Sequence, residues 1–147
     1  MRWFAIQLLI VLGLLPAGAY SSEVNVIPLT ISGYEIAAEV AHTQLSRSQG
    51  LMYRESLEEN TGMLFVFPGS GYYSMWMKNT YIPLSVAFID VRGVILNIAE
   101  MQPETLTSHD AAGMAKYALE MNKGWFAARK ITAGTQVTGL ERAPAAD

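Results

Sequence analysis

Six consecutive residues combine side chains that could bind a small molecule: Met75, Trp76, Met77, Lys78, Asn79 and Thr80. In a strand, the two methionines fall on one face, and Trp76 and Lys78 fall on the other. An indole beside an ammonium group suits a ring-shaped or anionic ligand, which the amide and hydroxyl that follow could orient. The alternative is purely structural: Trp76 enters the core, Lys78 reaches along the surface, and the two polar residues form a turn.

Three cations lie in this segment and in a polar segment that precedes it. Arg47 falls in a short predicted helix, Arg54 follows that helix, and Lys78 ends the predicted strand. If the fold brings them together, they form one electropositive pocket for a carboxylate, phosphate or acidic sugar, with Trp76 as a stacking wall. The alternative is a set of salt bridges with four acidic residues, Glu55, Glu58, Glu59 and Glu120. Surface pairs of that kind contribute only about 0–1 kcal/mol each.

Glu120 is the strongest candidate for acid–base chemistry. It follows residues 117–119 in a predicted strand, so burial could raise its pKa. General acid–base hydrolysis would need a second acid, and the structural alternative for Glu120 is an ion pair with Arg47, Arg54 or Lys78. A carboxylate-dependent enzyme is therefore the second interpretation of the chain.

Methionine suggests a third interpretation. The chain has 8 methionines, and soft thioethers can bind Cu(I) where thiolates are absent. Met75 and Met77 could place two sulfurs close together. Methionine is also a common filler of apolar cores, and no cluster of histidine with methionine supports Cu(I) binding.

Composition and missing motifs exclude several classes of function. The chain has no cysteine, which excludes disulfides, thiolate nucleophiles and zinc ribbons. A net charge of −3, without a run of basic residues, argues against nucleic acid as a partner. Nucleotide-binding loops and the motifs of serine hydrolases and zinc proteases are missing. His42 and His109 lack metal-ligand spacing, and residues 107–110 are interpreted as a polar turn rather than a catalytic triad. We therefore expect no metal and no cofactor.

Short strands are predicted to position these residues. Residues 24–31 and 34–41 form a hairpin turning at Ser32-Gly33, because apolar and polar residues alternate on either side of that step. Pro28 predicts an edge position, since it cannot donate to a ladder. Further strands are predicted at residues 63–67, 84–89, 94–101, 117–121 and 136–140. Two of these, 63–67 and 84–89, are continuous apolar runs, which predicts that both of their faces are covered.

Helix signals are few. Thr43 can cap a two-turn helix that ends at Gly50. Residues 56–59 fit a capping box, with Gly62 as the stop, and residues 125–130 predict a third helix. Many short strands with a few short helices indicate a mainly β domain, an antiparallel sandwich or barrel of about eight strands.

A resemblance to a known family rests on long motifs. These are Arg47-Ser48-Gln49-Gly50-Leu51-Met52-Tyr53-Arg54, Gly62-Met63-Leu64-Phe65-Val66-Phe67, Met75-Trp76-Met77-Lys78-Asn79-Thr80 with Ile82-Pro83-Leu84, and Ala118-Leu119-Glu120 with Gly124. Over residues 39–137 the chain thereby resembles the bacterial and archaeal family known as domain of unknown function 192. The resemblance implies a small, mostly β domain of jelly-roll-like character, often exported, with no established activity. Members usually carry Asp where this chain has Ser85, which argues against functions that need that carboxylate and removes the most natural partner of Glu120.

The first 19 residues predict a signal peptide. Arg2 supplies a positive start, residues 3–15 are apolar except for Gln7, and Ala17-Gly18-Ala19 fits a cleavage site. An uncleaved anchor is the alternative, although a membrane span needs about 20 apolar residues. Residues 20–142 are then a single β-rich domain, and residues 143–147 a flexible tail.

These observations predict a periplasmic or secreted, non-enzymatic binding or accessory module of the cell envelope, without a transmembrane segment in the mature chain. Its expected partner is a small anionic or ring-containing ligand, or an envelope protein. The candidate ligand-binding residues are Arg47, Met52, Arg54, Trp76, Lys78, Asn79, Thr80 and Glu120.

Overall fold

Nine strands and two short helices make up residues 24–147, the part of the chain that the computed structural model describes. The strands are β1 Val26–Ile31, β2 Tyr34–Ala41, β3 Thr61–Gly71, β4 Ser74–Met75, β5 Leu84–Ile89, β6 Ile95–Met101, β7 His109–Asp110, β8 Ala115–Asn122 and β9 Val137–Thr138. The helices are α1 Gln44–Gln49 and α2 Trp125–Ala128. The predicted signal peptide lies outside the described residues.

Seven strands form one sheet in the order β6-β5-β8-β3-β2-β1-β9, and β4 pairs separately with β7. The large sheet curls into a half-barrel, which confirms the mainly β fold class. It is mixed rather than wholly antiparallel, because β2 and β3 run parallel. Parallel neighbours need a crossover connection, and α1 with the turns after it supplies one.

Both faces of the sheet are covered, as the apolar runs predict. In β3, Leu64 and Val66 pack into one core cluster, whereas Phe65 and Phe67 pack into the other. All six residues of β5 are buried. Side chains that alternate along a strand therefore pack into two cores, one on each face of the sheet.

The β1–β2 hairpin turns at Ser32-Gly33, both with positive φ (49° and 80°), as a tight two-residue hairpin requires. Pro28 lies in β1, which is not the outermost strand. However, β9 pairs only with Thr30 and Ile31, so within the described chain no strand pairs with Pro28 on the side away from β2.

The helix predictions have mixed outcomes. Thr43 caps α1 through a capping box with Ser46, and Gly50 ends the helix with φ 47°, as expected. The helix predicted for residues 125–130 is confirmed over Trp125–Ala128. The helix predicted for residues 56–59 is wrong: the segment is irregular and leads into a turn in which Asn60 adopts φ 60°.

Gly62 does not stop a helix but belongs to β3. A Cβ at this position would overlap the carbonyl oxygen of Glu120 and the sulfur of Met121. The glycine therefore permits the close approach of β3 and β8 that places Glu120 in the sheet.

The end of the chain is packed rather than extended as a flexible tail. Ala143 and Ala146 pack against the first core cluster. The backbone N–H of Asp147 donates to the carbonyl of His42 at 3.2 Å, and its carboxylate accepts from the backbone N–H of Gln44 at 2.7 Å. Between residues 24 and 147, no helix is long and apolar enough to cross a membrane.

Candidate functional site

A cleft of about 510 Å³ opens between α1 and the face of the large sheet formed by β3 and β8. Its volume lies within the range of about 300–1,000 Å³ that small-molecule sites occupy. Five of the eight candidate residues line it: Arg47, Met52, Trp76, Thr80 and Glu120. The other three, Arg54, Lys78 and Asn79, lie outside its lining.

Glu120 is the acidic group of this cleft. It lies in β8, between Met63 of β3 and Val86 of β5, and is only 4% exposed. Burial raises the pKa of its carboxyl to about 8, and neither a hydrogen bond nor a counter-charge from the described residues contributes to the shift. The ion pair with Arg47, Arg54 or Lys78 is therefore wrong, and near pH 7 the carboxyl is mostly protonated.

Four aromatic residues line the cleft: Phe65, Phe67, Tyr73 and Trp76. Of these, only Trp76 is predicted from the sequence as a site residue. Phe67 and Tyr73 stack with centroids 3.7 Å apart and planes 12° from parallel, and Phe65 lines the cleft beside them. The hydroxyl of Tyr73 donates to the carbonyl of Gly69 at 2.8 Å, which fixes the ring. The Gly-rich end of β3 just before Tyr73 is the local signal that could have indicated an inward-facing ring there.

Trp76 is the exposed aromatic residue of the cleft. Its side chain is 50% exposed, while Met77 next to it is fully buried. The ammonium of Lys78 lies 5.4 Å from the centroid of the indole. The alternation predicted for this segment is confirmed, with the indole and the ammonium together and Met77 in the core. Trp76 is therefore not a core residue, contrary to the structural alternative.

Arg47 lines the cleft but its guanidinium is already bound. One terminal nitrogen donates to the carbonyls of His42 at 2.6 Å and Val66 at 3.2 Å. The other donates to the carbonyl of Asp147 at 2.9 Å. These contacts tie α1 to β3 and to the end of the chain, so Arg47 serves first to position the helical wall.

Arg54 is committed elsewhere. Its two terminal nitrogens donate to the two carboxylate oxygens of Glu39 at 2.7 and 2.6 Å, and this hydrogen bond raises the pKa of Arg54. Both residues line a different depression, of about 300 Å³. The prediction that Arg47, Arg54 and Lys78 form one electropositive pocket is therefore wrong, because they occupy separate places with separate partners.

The polar end of the motif makes a turn. Asn79 has φ 53°, and its amide donates to the hydroxyl of Tyr53 at 2.9 Å. Thr80 is 5% exposed, and its hydroxyl donates to the carbonyl of Lys78 at 3.1 Å. The structural alternative, a turn at this point, describes these two residues correctly, and β4 ends at Met75 rather than at Lys78 as predicted.

Metal and nucleophilic sites find little support. Met75 and Met52 line the cleft, but Met77 is buried in the core. Among residues 24–147, no group of three His, Asp or Glu could hold a metal ion. Asp110 accepts from the hydroxyls of Ser74 and Ser108, both at 2.6 Å, and these bonds lower the pKa of Asp110. The polar turn predicted for residues 107–110 is wrong in form, because His109 and Asp110 make the short strand β7, which pairs with β4.

Ser85 lies on the opposite face of the sheet from Glu120. It pairs directly with Met121, the residue after Glu120. Its hydroxyl donates to Glu100 at 2.6 Å and accepts from the backbone N–H of Gly124 at 2.8 Å. The expectation that Ser85 removes a partner of Glu120 is therefore wrong, since a carboxylate at that position would face away from the cleft.

Comparison with known proteins gives a family and a fold. The model of the family DUF192, described as "Uncharacterized ACR", matches residues 27–139. A proposed transcription regulator from Sinorhizobium meliloti 1021 has a crystal structure that is 32% identical, with a TM-score of 0.76 over 79% of this chain and 95% of that one. A protein of unknown function from Novosphingobium aromaticivorans DSM 12444 is also 32% identical, with a TM-score of 0.76 over 80% of this chain and 88% of that one. No curated protein matches the chain.

Proposed function

The chain belongs to the uncharacterised family DUF192, and we propose that it is an exported, non-enzymatic binding module whose cleft holds a small ring-containing ligand. The exposed indole of Trp76 at the cleft carries this proposal. A large apolar side chain that is half exposed beside a concave site is a typical anchor for a ligand ring. The stacked rings of Phe67 and Tyr73 supply a second apolar wall.

The ring-containing ligand is favoured over the anionic one that the sequence also allowed. Arg47, the cation that lines the cleft, already donates through both terminal nitrogens to the carbonyls of His42, Val66 and Asp147. Glu120 faces the cleft, and no residue between 24 and 147 supplies it with a counter-charge. An anion would therefore meet a carboxyl group and an occupied guanidinium.

A regulatory role in transcription, the role printed for the Sinorhizobium protein, is not carried over to this chain. The helices α1 and α2 have 6 and 4 residues. A recognition helix has to reach base edges along the major groove, and the net charge of −3 opposes binding to phosphate.

Binding is tested with benzyl alcohol as the ring-containing probe. In titrations of the purified protein followed by ¹H–¹⁵N NMR, shifts are expected at the indole N–H of Trp76 and at the amides of β8. Trp76→Ala should weaken binding about two- to twelvefold, since an aromatic pair is worth about 0.5–1.5 kcal/mol. Tyr72→Ala is the matched control, because Tyr72 is 74% exposed and does not line the cleft. The absence of binding, or equal losses in both variants, would refute the proposal.

Export is proposed from residues 1–19 alone. We expect the mature protein to begin at or near Tyr20, with the domain in the periplasm or outside the cell. N-terminal sequencing of protein recovered from cell fractions tests this expectation. Recovery of the intact Met1 form from the soluble cytoplasm would remove both the export and the envelope role.

A carboxylate-dependent enzyme is the second candidate, favoured by the raised pKa of Glu120. A protonated carboxyl in a cleft can act as a general acid. The described residues that line the cleft include no second carboxylate, so hydrolysis by a pair of acids is not supported. An activity that disappears in Glu120→Gln while binding of benzyl alcohol persists would favour the enzyme.

A further inference from the structure

We infer that the ligand of the cleft is an organic cation: an ammonium group on a ring-containing or apolar body, with the ammonium on Glu120 and the body against the aromatic wall. This inference rests on the proposed function and specifies its substrate class. It is carried by a buried carboxyl, unpartnered among the described residues, and by aromatic rings in the same concave site.

The carboxyl is the first part of the argument. Glu120 is buried, with 4% of its surface exposed, and it lines the cleft from the middle of the sheet. Its direct neighbours in the ladder, Met63 and Val86, carry no charge. A buried carboxylate without a partner is costly, and an apolar residue of similar size would be the stabilising choice at this position. A ligand that supplies the missing positive charge gives the group a function.

The aromatic wall is the second part. Trp76, Tyr73, Phe65 and Phe67 all line the cleft. The faces of aromatic rings attract ammonium groups through their quadrupoles, and several rings around one site form the cage typical of organic-cation recognition. Trp76 already has a cation at its face, since the ammonium of Lys78 lies 5.4 Å from its centroid. Lys78 does not line the cleft, so this contact leaves the interior to a ligand.

Charges around the cleft are compatible with a cationic occupant. From α1, Arg47 is the charged group in the lining, and it is held by carbonyls and by Asp147, with its nearer carboxylate oxygen at 3.5 Å. From the β4 side, Tyr73 is the titratable group, with its hydroxyl bonded to Gly69. From β3 and β5 the neighbours of Glu120 are uncharged. Glu120 is therefore the group in the lining whose ionisation a cation would change.

Three probes of matched size separate the inference from the proposed function. They are benzylammonium, benzyl alcohol and benzoate, titrated into the purified protein at pH 7 by NMR. We expect benzylammonium to bind at least about tenfold more tightly than benzyl alcohol, and benzoate to bind most weakly. Glu120→Gln should remove the preference for benzylammonium over benzyl alcohol, and a circular dichroism spectrum that matches the parent's shows that the variant is folded.

The dependence on pH provides a second readout. With a pKa of about 8 for Glu120, about a tenth of the carboxyl is ionised at pH 7 and about three quarters at pH 8.5. The affinity for benzylammonium should therefore rise up to about eightfold between these pH values, while the affinity for benzyl alcohol should not rise.

The outcomes are distinguishable. If benzyl alcohol binds as tightly as benzylammonium, or benzoate binds best, the inference is overturned and the ring-binding cleft remains. If none of the three probes binds, the proposed function itself is overturned. If benzylammonium is preferred equally by Glu120→Gln, its charge is recognised elsewhere and the inference is overturned.

Discussion

The carboxyl of Glu120 makes the stability of the protein depend on pH in an unusual direction. Its pKa is about 8 in the folded protein, compared with an ordinary value of 4.5. Between these two values the folded state keeps a proton that the unfolded state has lost. The contribution of Glu120 to stability is therefore fully present below about pH 4.5 and is lost as pH rises towards and through 8.

The magnitude follows from the two pKa values. At about 1.4 kcal/mol for each tenfold change in acidity, the full difference between 4.5 and about 8 corresponds to roughly 5 kcal/mol. About 4 kcal/mol of this loss falls between pH 5 and pH 9. That is a large part of the about 5–15 kcal/mol by which domains are usually stable, and it is an upper value because water can enter the cleft once the carboxyl ionises.

Urea unfolding at pH 5, 7 and 9, followed by circular dichroism, measures this loss. Glu120→Gln keeps the size of the side chain and cannot ionise, so the variant should be nearly independent of pH across this range and more stable than the parent at pH 9. Glu35→Gln, which removes an exposed carboxylate on β2, is the control and should follow the parent. A parent protein equally stable at pH 5 and pH 9, or a Glu120→Gln variant with the same dependence as the parent, would refute the reasoning.

Three further predictions concern the scaffold of the cleft, each measured by urea unfolding. Gly62→Ala should destabilise the protein by about 1–3 kcal/mol or more, because the added methyl overlaps β8. Gly69→Ala in the same strand is the control and should change stability little, since the space around its Cβ is open. Equal effects of the two substitutions would contradict the close approach of β3 and β8. Thr43→Ala should cost about 1 kcal/mol by removing the cap of α1, and an unchanged midpoint would count against that cap. A double-mutant cycle of Arg54→Ala and Glu39→Ala should give a coupling of about 0.5–1 kcal/mol that shrinks in high salt, since both side chains are partly exposed; zero coupling at low salt would show that the pair is incidental.

Local patterns predicted the elements whose causes are local. The hairpin at Ser32-Gly33, the cap at Thr43 and the apolar run of β3 each depend on neighbours in the sequence, and the structure has all three. The exposure of Trp76 and the burial of Met77 match the alternation predicted for a strand, although β4 ends at Met75, just before them.

Contacts between residues far apart in the sequence could not be predicted from local patterns. The parallel pairing of β2 with β3 depends on the path of the crossover, not on either strand. Arg54 binds Glu39, which lies on the other side of that crossover. Arg47, Arg54 and Lys78 therefore contact different partners in different parts of the fold. Residues 56–59 match a capping box but form no helix. Instead the chain turns there, and the backbone N–H and the hydroxyl of Thr61 both donate to the carbonyl of Glu58.

The cleft itself shows the same limit. Glu120 was singled out from its place in an apolar strand, and its burial matches that reasoning. The rings that face it, Phe67 and Tyr73, stack only because the turn at the end of β3 brings them together. Ser85 lies on the face of the sheet opposite Glu120 because of the register between β5 and β8. That register cannot be predicted from a sequence motif.

A crystal structure of the protein with benzylammonium tests the central claim most directly. The account predicts that the ring lies in the cleft against Trp76, Tyr73 and Phe67, with the ammonium nitrogen about 3 Å from a carboxylate oxygen of Glu120. A benzylammonium bound outside the cleft, or bound within it with its ammonium turned away from Glu120 towards solvent, would contradict the account.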